Sequence, residues 1–246
     1  MCIRDSLDSI RYADCIIAIS NFGKKELVKY FNADPEKIVV THLAAKDIFT
    51  PRGLEEQNRV LEKYKIPHDF IFSLGSNEPR KNIGTLVRAY MNLSENVKNV
   101  HHLVIAGGAG WLNSDTDSLI ESQNSPQIHR IGYIDEQDLP ALYSAACAFV
   151  YPSLYEGFGL PILEAMSCGT PVITSNTASM PEISGDAAFF FDPANDHQLT
   201  ALLFDVMGNE NLRKELSRKG IDRARQFSWD KTARATLKIY EDLFSN

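Results

Sequence analysis

The sequence predicts an α/β fold, a parallel sheet with helices on both faces, and three observations carry that reading. Apolar runs of strand length alternate with stretches of helical period between residues 70 and 191. Those runs are apolar at consecutive positions, as in strands buried on both sides. The loops that follow them are the chemically unusual ones, and in open parallel sheets ligands bind beyond the carboxyl ends of the strands.

The elements follow in order. Residues 15–19 read as a strand, Ser20 and Asn21 as N-cap residues for a helix over 24–31, and residues 38–41 as a second strand, making one β-α-β unit. Residues 43–53 break the pattern, with Pro51 and Gly53 marking a connector and a domain boundary, and helical spacing resumes over 54–64. The alternation then runs strand 70–74, helix 83–93, strand 103–106, a helix near Leu119, strand 128–131 and helix 136–145. Strand 148–151, a helix over 161–168 with Pro161 at its first position, strand 172–174 and a short strand 188–191 complete the sheet. Helical patterns over 198–207, 211–227 and 229–244 close the chain, the last with an apolar stripe of Trp229, Ala233, Leu237, Tyr240 and Phe244.

Composition narrows the function classes. The 246 residues are 44% hydrophobic and 23% charged, with 25 Lys and Arg against 32 Asp and Glu for a net charge of −7. No general cationic field exists to hold a nucleic acid, so an anionic ligand needs local devices. The longest apolar runs, 145–151 and 187–191, fall far short of the roughly 20 residues that cross a bilayer. The four cysteines show no metal-ligand spacing and suit a reducing compartment, and the six histidines read as polar surface residues. Residues 1–6 match neither a signal peptide nor the pattern that follows, and read as a foreign prefix on a truncated reading frame.

Three loops after strands carry the chemistry. Residues 151–166 leave a strand and enter a helix, with Gly157 and Gly159 permitting close backbone approach and the helix start offering amide groups to a diphosphate. Glu156 and Glu164 bracket that anion site and can accept hydroxyl hydrogen bonds from a sugar or ribose; the plainer reading makes Glu156 a turn cap and Glu164 a partner of the helix dipole. In residues 75–82, Arg80 and Lys81 stand at the entrance of a helix capped by Asn82. Cations there oppose the helix dipole and call for a nearby anion, a phosphate in the functional reading and solvent in the plain one. The third loop, Gly107-Gly108-Ala109-Gly110, is either a close approach to a ligand or a glycine-rich turn. Walker A, G-x-S-x-G and kinase signatures are absent from the sequence.

Taken together these residues resemble the donor domain of a glycosyltransferase family 4 enzyme, of the retaining GT-B class (glycosyl transferases group 1). Glu156 and Glu164 match the E-x7-E pattern, Gly157-Phe158-Gly159 the glycine loop and residues 167–172 the turn that follows. Residues 78–82 resemble the phosphate loop and residues 131–135 the base-binding loop. The resemblance implies a Rossmann-like sheet forming the C-terminal half of a GT-B fold, plus a βαβ remnant of the other half. It divides the chain into the remnant and linker over 1–50, a donor-binding domain over 51–228 and a terminal helix over 229–246 that crosses back toward the first domain.

The implied reaction moves a hexosyl group from a nucleoside diphosphate sugar to a glycan or lipid-linked acceptor with retention. No cofactor and no obligatory metal are implied. Carried over residue by residue, Arg80 and Lys81 meet the donor phosphates, the Phe158 and Gly159 amides the sugar hydroxyls, and Leu160 the diphosphate. Glu164 holds the ribose and Glu156 is the catalytic carboxylate beside the transferred sugar. Gly157 and Gly107 allow close approach, and the backbone at Tyr133 and Ile134 meets the base. GDP-mannose is favoured over a UDP- or dTDP-sugar from the form of the phosphate loop. Ser76 stands where some members carry a cation, and none of the six histidines falls in the region where members line the sugar site with one. The resemblance implies that the acceptor side belongs to a first domain of which only the βαβ remnant over 1–50 is expected here, so the chain alone is expected not to transfer. The setting implied is cytoplasmic, at most peripheral on the membrane, with no nucleic-acid partner. The rival classes are a nucleotide-sugar-binding module without transfer chemistry and a sugar-nucleotide epimerase.

Overall fold

The structure, a computed structural model, describes residues 3–76, 78–108, 118, 120 and 125–245. A helix α1 (Ile3–Tyr12) leads into β1 (Ile16–Ala18), α2 (Asn21–Phe31) and β2 (Ile38–Val40), and the two strands pair in parallel. Ser20 caps α2 by accepting a hydrogen bond from the Gly23 amide. A small core of Ala18, Ala33 and Ile38, backed by Leu27 and Val28, holds this unit together.

The larger unit starts with α3 (Leu54–Tyr64) and β3 (Phe70–Leu74), followed by α4 (Ile83–Met91), α5 (Glu95–Lys98), β4 (His102–Ala106) and β5 (Ile128–Gly132). After α6 (Leu139–Ala145) come β6 (Ala148–Tyr151), α7 (Leu160–Ser167), β7 (Val172–Ser175), α8 (Met180–Ser184) and β8 (Ala188–Phe191). Helices α9 (Asp196–Gly208), α10 (Glu210–Ala224) and α11 (Trp229–Phe244) end the chain. The sheet is parallel throughout in the order β5-β4-β3-β6-β7-β8. Strand alternation sorts its two cores: Phe70, Phe72 and Phe149 face α3, α6 and α7, whereas Ile71, Val150 and Ile173 face α4 and α9.

The sheet and helices match the predicted fold class, with local corrections. The helix after β6 begins at Leu160, with Gly159 as its N-cap residue in the left-handed region and Pro161 second. Asn82 occupies the N-cap position of α4 but caps nothing: its side-chain amide donates to the Pro152 and Pro193 carbonyls at 3.1 and 3.0 Å, tying loops together. The predicted helix over 83–93 stops at Met91, and the one over 136–145 starts at Leu139. Helices α5 and α8, of four and five residues, are too short to show an apolar period in the sequence. The helix expected near Leu119, and Ala109 and Gly110 of the third loop, lie outside the described residues. On α11 only Ile239 is buried, while Trp229, Leu237, Tyr240 and Phe244 are exposed. Among the described residues no helix is long and apolar enough to cross a membrane.

Candidate functional site

Strand order reverses at β3, since the chain runs outward through β4 and β5 and then returns to place β6 on the other side. The crevice at such a reversal is where open α/β sheets bind ligands. The two loops flanking it are 75–82 after β3 and 152–159 after β6, and they are bound to each other. The Leu154 amide donates to the Arg80 carbonyl at 2.8 Å.

The charged centre of the crevice is Glu156. Its Oε1 accepts from Lys81 Nζ at 2.7 Å and from Arg80 Nη1 at 2.8 Å. Lys81 Nζ also contacts the Tyr151 hydroxyl at 2.9 Å, and Glu156 and Lys81 side chains are each only 12% exposed. Arg80 is bound a second time, Nε to Glu78 Oε2 at 2.9 Å, and Glu78 in turn accepts from the Ser76 hydroxyl at 2.6 Å. The anion that the sequence argument required beside these cations is therefore supplied by the protein, as two carboxylates within hydrogen-bond reach. Phosphate is not needed to explain the cations at rest.

Beside this cluster the chain turns through Gly157, Phe158 and Gly159 into α7. Gly159 has φ +105°, a conformation that disfavours side chains. Among the described residues the amides of Gly157, Phe158, Gly159 and Leu160 have no protein acceptor. The Phe158 side chain is buried against His42 and Phe227, so only its backbone is open to a ligand.

Glu164 sits one turn along α7 in a different setting. Its Oε2 accepts from the hydroxyl of fully buried Tyr143 at 3.1 Å. Burial pushes its pKa up to about 7, against the Tyr143 hydrogen bond; Glu136 adds to the rise and Lys46 opposes it. Lys46 is itself held by Glu136 at 2.5 Å.

The third loop completes the crevice. Gly107 has φ +136°, and a Cβ there would fall 2.0 Å from the Gly75 carbonyl oxygen. Its glycine is thus required by the approach of one loop to another, rather than by a ligand. Gly75, Gly107, Gly108, Arg130 and Gly132 line a pocket at the ends of β3, β4 and β5. Tyr133 beside it is exposed, whereas the Ile134 side chain turns into the core, leaving its backbone for a ligand.

Several side chains were missed by reading residues singly. His42 is no plain surface histidine: Nε2 lies 2.7 Å from Glu182 Oε1, with the ring between Phe158 and Phe227. Glu182 also accepts from the Asn21 and Phe22 amides at 2.8 and 3.0 Å, capping α2 from the larger unit. Burial opposes its charge, but these amides and His42 hold its pKa below the ordinary value. The sequence Ser179-Met180-Pro181-Glu182 carried the signal, a helix start with proline and an acid in its first turn.

His102 Nδ1 and His129 Nε2 lie 2.9 Å apart as a half-buried pair on β4 and β5. At the opposite, amino edge of the sheet Asp69, His101 and Cys147 each precede one of three neighbouring strands, which brings their ligand atoms within 4.8 Å. Burial pushes the Cys147 thiol up, and the nearby Arg213 charge acts against a cation there.

Comparison with known proteins shows the family and the fold. A sequence profile of the family described as glycosyl transferases group 1 matches residues 55–223. The chain is 38% identical over 241 residues to O-antigen chain mannosyltransferase B of Escherichia coli, covering 97% of this chain and 62% of that protein. It is 29% identical to the serotype-specific mannosyltransferase WbdA of the same species, covering 98% of this chain and 30% of WbdA. It superposes on sucrose-phosphate synthase from Thermosynechococcus elongatus with a TM-score of 0.83 at 25% identity, over 98% of this chain and 61% of that one. The chain thus spans under two thirds of the length of each.

Proposed function

Because this chain belongs to the glycosyl transferases group 1 family, we propose that it carries the donor site of a hexosyltransferase that uses a nucleoside diphosphate sugar and retains the anomeric configuration. Mannose from GDP-mannose is the favoured donor, since O-antigen chain mannosyltransferase B and WbdA are both mannosyltransferases by name. The acceptor is a glycan or lipid-linked glycan. The observation that carries the reading is the convergence of Lys81 and Arg80 on Glu156 at the reversal of strand order, beside four amides with no protein acceptor among the described residues.

The roles follow from charge. Departure of the diphosphate builds negative charge on its terminal oxygens, and Lys81, Arg80 and the Leu160 amide at the start of α7 are already in place to stabilise it, without calling on a metal ion. As the phosphates take up those cations, Glu156 is released to accept from hydroxyls of the transferred sugar, which the Phe158 and Gly159 amides hold from the other side. Glu164 accepts from the ribose hydroxyls. The pocket edged by Gly107, Gly132 and the Tyr133 and Ile134 backbone receives the base. Retention requires the acceptor hydroxyl to arrive on the face from which the diphosphate leaves.

Calorimetric titration of the chain with GDP-mannose, UDP-glucose and a dTDP-sugar tests this reading. Saturable binding with GDP-mannose tightest is expected. Absence of binding to all three, with the chain folded, would remove the donor site, and preference for another donor would remove GDP-mannose.

A further inference from the structure

The glycine loop has a problem that its own sequence cannot solve. The peptide between Gly157 and Phe158 can rotate by opposed changes of ψ at 157 and φ at 158, and glycine makes that rotation cheap. A rotated peptide would present a carbonyl oxygen where an amide is needed. In a trans peptide the C=O of one residue and the N–H of the next point in opposite directions, so whatever holds the carbonyl also aims the amide.

Two buried serines hold these carbonyls. Ser20 Oγ donates to the Gly157 carbonyl at 2.7 Å across 137 residues of sequence. Ser179 Oγ lies 2.8 Å from both the Glu156 and the Phe158 carbonyls, so one hydroxyl is shared between them. Both serines are 0% exposed, so water does not compete for these bonds. Three consecutive carbonyls are thereby drawn into the protein, and the amides of Gly157, Phe158 and Gly159 are left facing away from it, which accounts for their having no protein acceptor among the described residues. The next peptide is fixed differently, its Gly159 carbonyl accepting from the Ile162 amide at 3.0 Å in the first turn of α7.

We propose that Ser20 and Ser179 are positioning residues that lock the three peptides of the glycine loop with their amides toward the sugar of the donor, Ser20 doing so from the smaller β-α-β unit. This rests on the donor-site reading above. The smaller unit is tied to the same loop at further points, with the Tyr155 hydroxyl donating to Glu26 at 3.1 Å and the Phe22 and Tyr155 rings meeting edge to face. Nucleotide contacts through the Leu160 amide do not depend on either serine, because that peptide is held by the helix. Loss of a serine should therefore cost recognition of the sugar and spare recognition of the nucleotide.

The test compares Ser20→Ala and Ser179→Ala with the wild-type chain in two measurements. Ser179 makes no side-chain cap bond, so its variant separates loop orientation from the loss of the α2 cap that accompanies Ser20→Ala. In the ligand-free chain, 15N relaxation dispersion should be flat for the loop amides of the wild type. Exchange should appear at Phe158 in Ser20→Ala and at Gly157 and Gly159 in Ser179→Ala; flat profiles in both folded variants would overturn the proposal. In calorimetry, Kd for GDP-mannose should rise by roughly 2- to 12-fold in each variant, the range of one net hydrogen bond. Kd for GDP alone should stay within about twofold; equal weakening of both ligands would also overturn it. A wild-type chain that does not distinguish GDP-mannose from GDP would instead defeat the donor reading, while the relaxation data still judge the serines.

Discussion

Glu156 and Glu164 are the two ends of one sequence motif and stand in opposite electrostatic settings. Glu156 meets two cations within 2.8 Å, and Lys81 beside it is as buried as the carboxylate. Glu164 meets a tyrosine hydroxyl at 3.1 Å, is largely buried, and has its pKa pushed up to about 7. Spacing alone makes them equivalent, but their surroundings give one two ion-pair partners that a ligand must displace and the other a proton that can be lost near neutrality. The first suits a group that trades partners when a diphosphate arrives. The second suits a hydrogen-bond acceptor for the hydroxyls of a ligand.

The largest expected effect follows from the Glu164 proton. Its pKa is raised from 4.5 to about 7 in the folded chain, so the folded state holds a proton that the unfolded state releases between those values. Wild-type stability should accordingly fall as pH rises from 4.5 to 7 and stay reduced above it, by about 3 kcal/mol from this group. Glu164→Gln carries no such penalty. In urea unfolding it should exceed the wild type by up to about 3 kcal/mol at pH 8 and match it near pH 4.5. A gain independent of pH would mean that Glu164 is charged throughout.

Next in size is Lys81→Met, which removes the less exposed of the two cations. Affinity for GDP should fall about 10- to 150-fold by calorimetry, the range of a hydrogen bond to a charged group. Arg80→Met should cost less, on the order of 1 kcal/mol or under, because Arg80 is half exposed and is held by Glu78 as well. Equal losses for the two would erase the distinction between the inner and outer cation.

Much of this was legible in the sequence because it is local. The strand at 148–151 and the helix at 229–244 match the runs of apolar side chains and the helical period to the residue. The chemistry of the loops at 75–82 and 151–166 showed in their glycines and charges. What escaped depends on the topology. Ser20 read as a helix cap, which it is, but its proton goes to Gly157, and only the packing of the smaller unit against the larger one brings them together. Tyr143 falls inside the helix expected over 136–145, and nothing in that period shows that its hydroxyl reaches Glu164. The sequence leaves Arg80 and Lys81 without a partner anion, and one of the two carboxylates that neutralise them, Glu156, lies in the loop after β6, a strand placed beside β3 only by the reversal of order.

The exchange of partners at Glu156 is the centre of this account, and GDP binding to Glu156→Gln and Glu164→Ala measures it most directly. With the competing carboxylate gone, Lys81 and Arg80 are free for the diphosphate, so Glu156→Gln should bind GDP as tightly as the wild type or more tightly. Glu164→Ala should bind it roughly 10- to 150-fold more weakly through loss of the ribose contacts. Weaker binding by Glu156→Gln together with unchanged binding by Glu164→Ala, both variants being folded, would contradict the assignment of the two carboxylates.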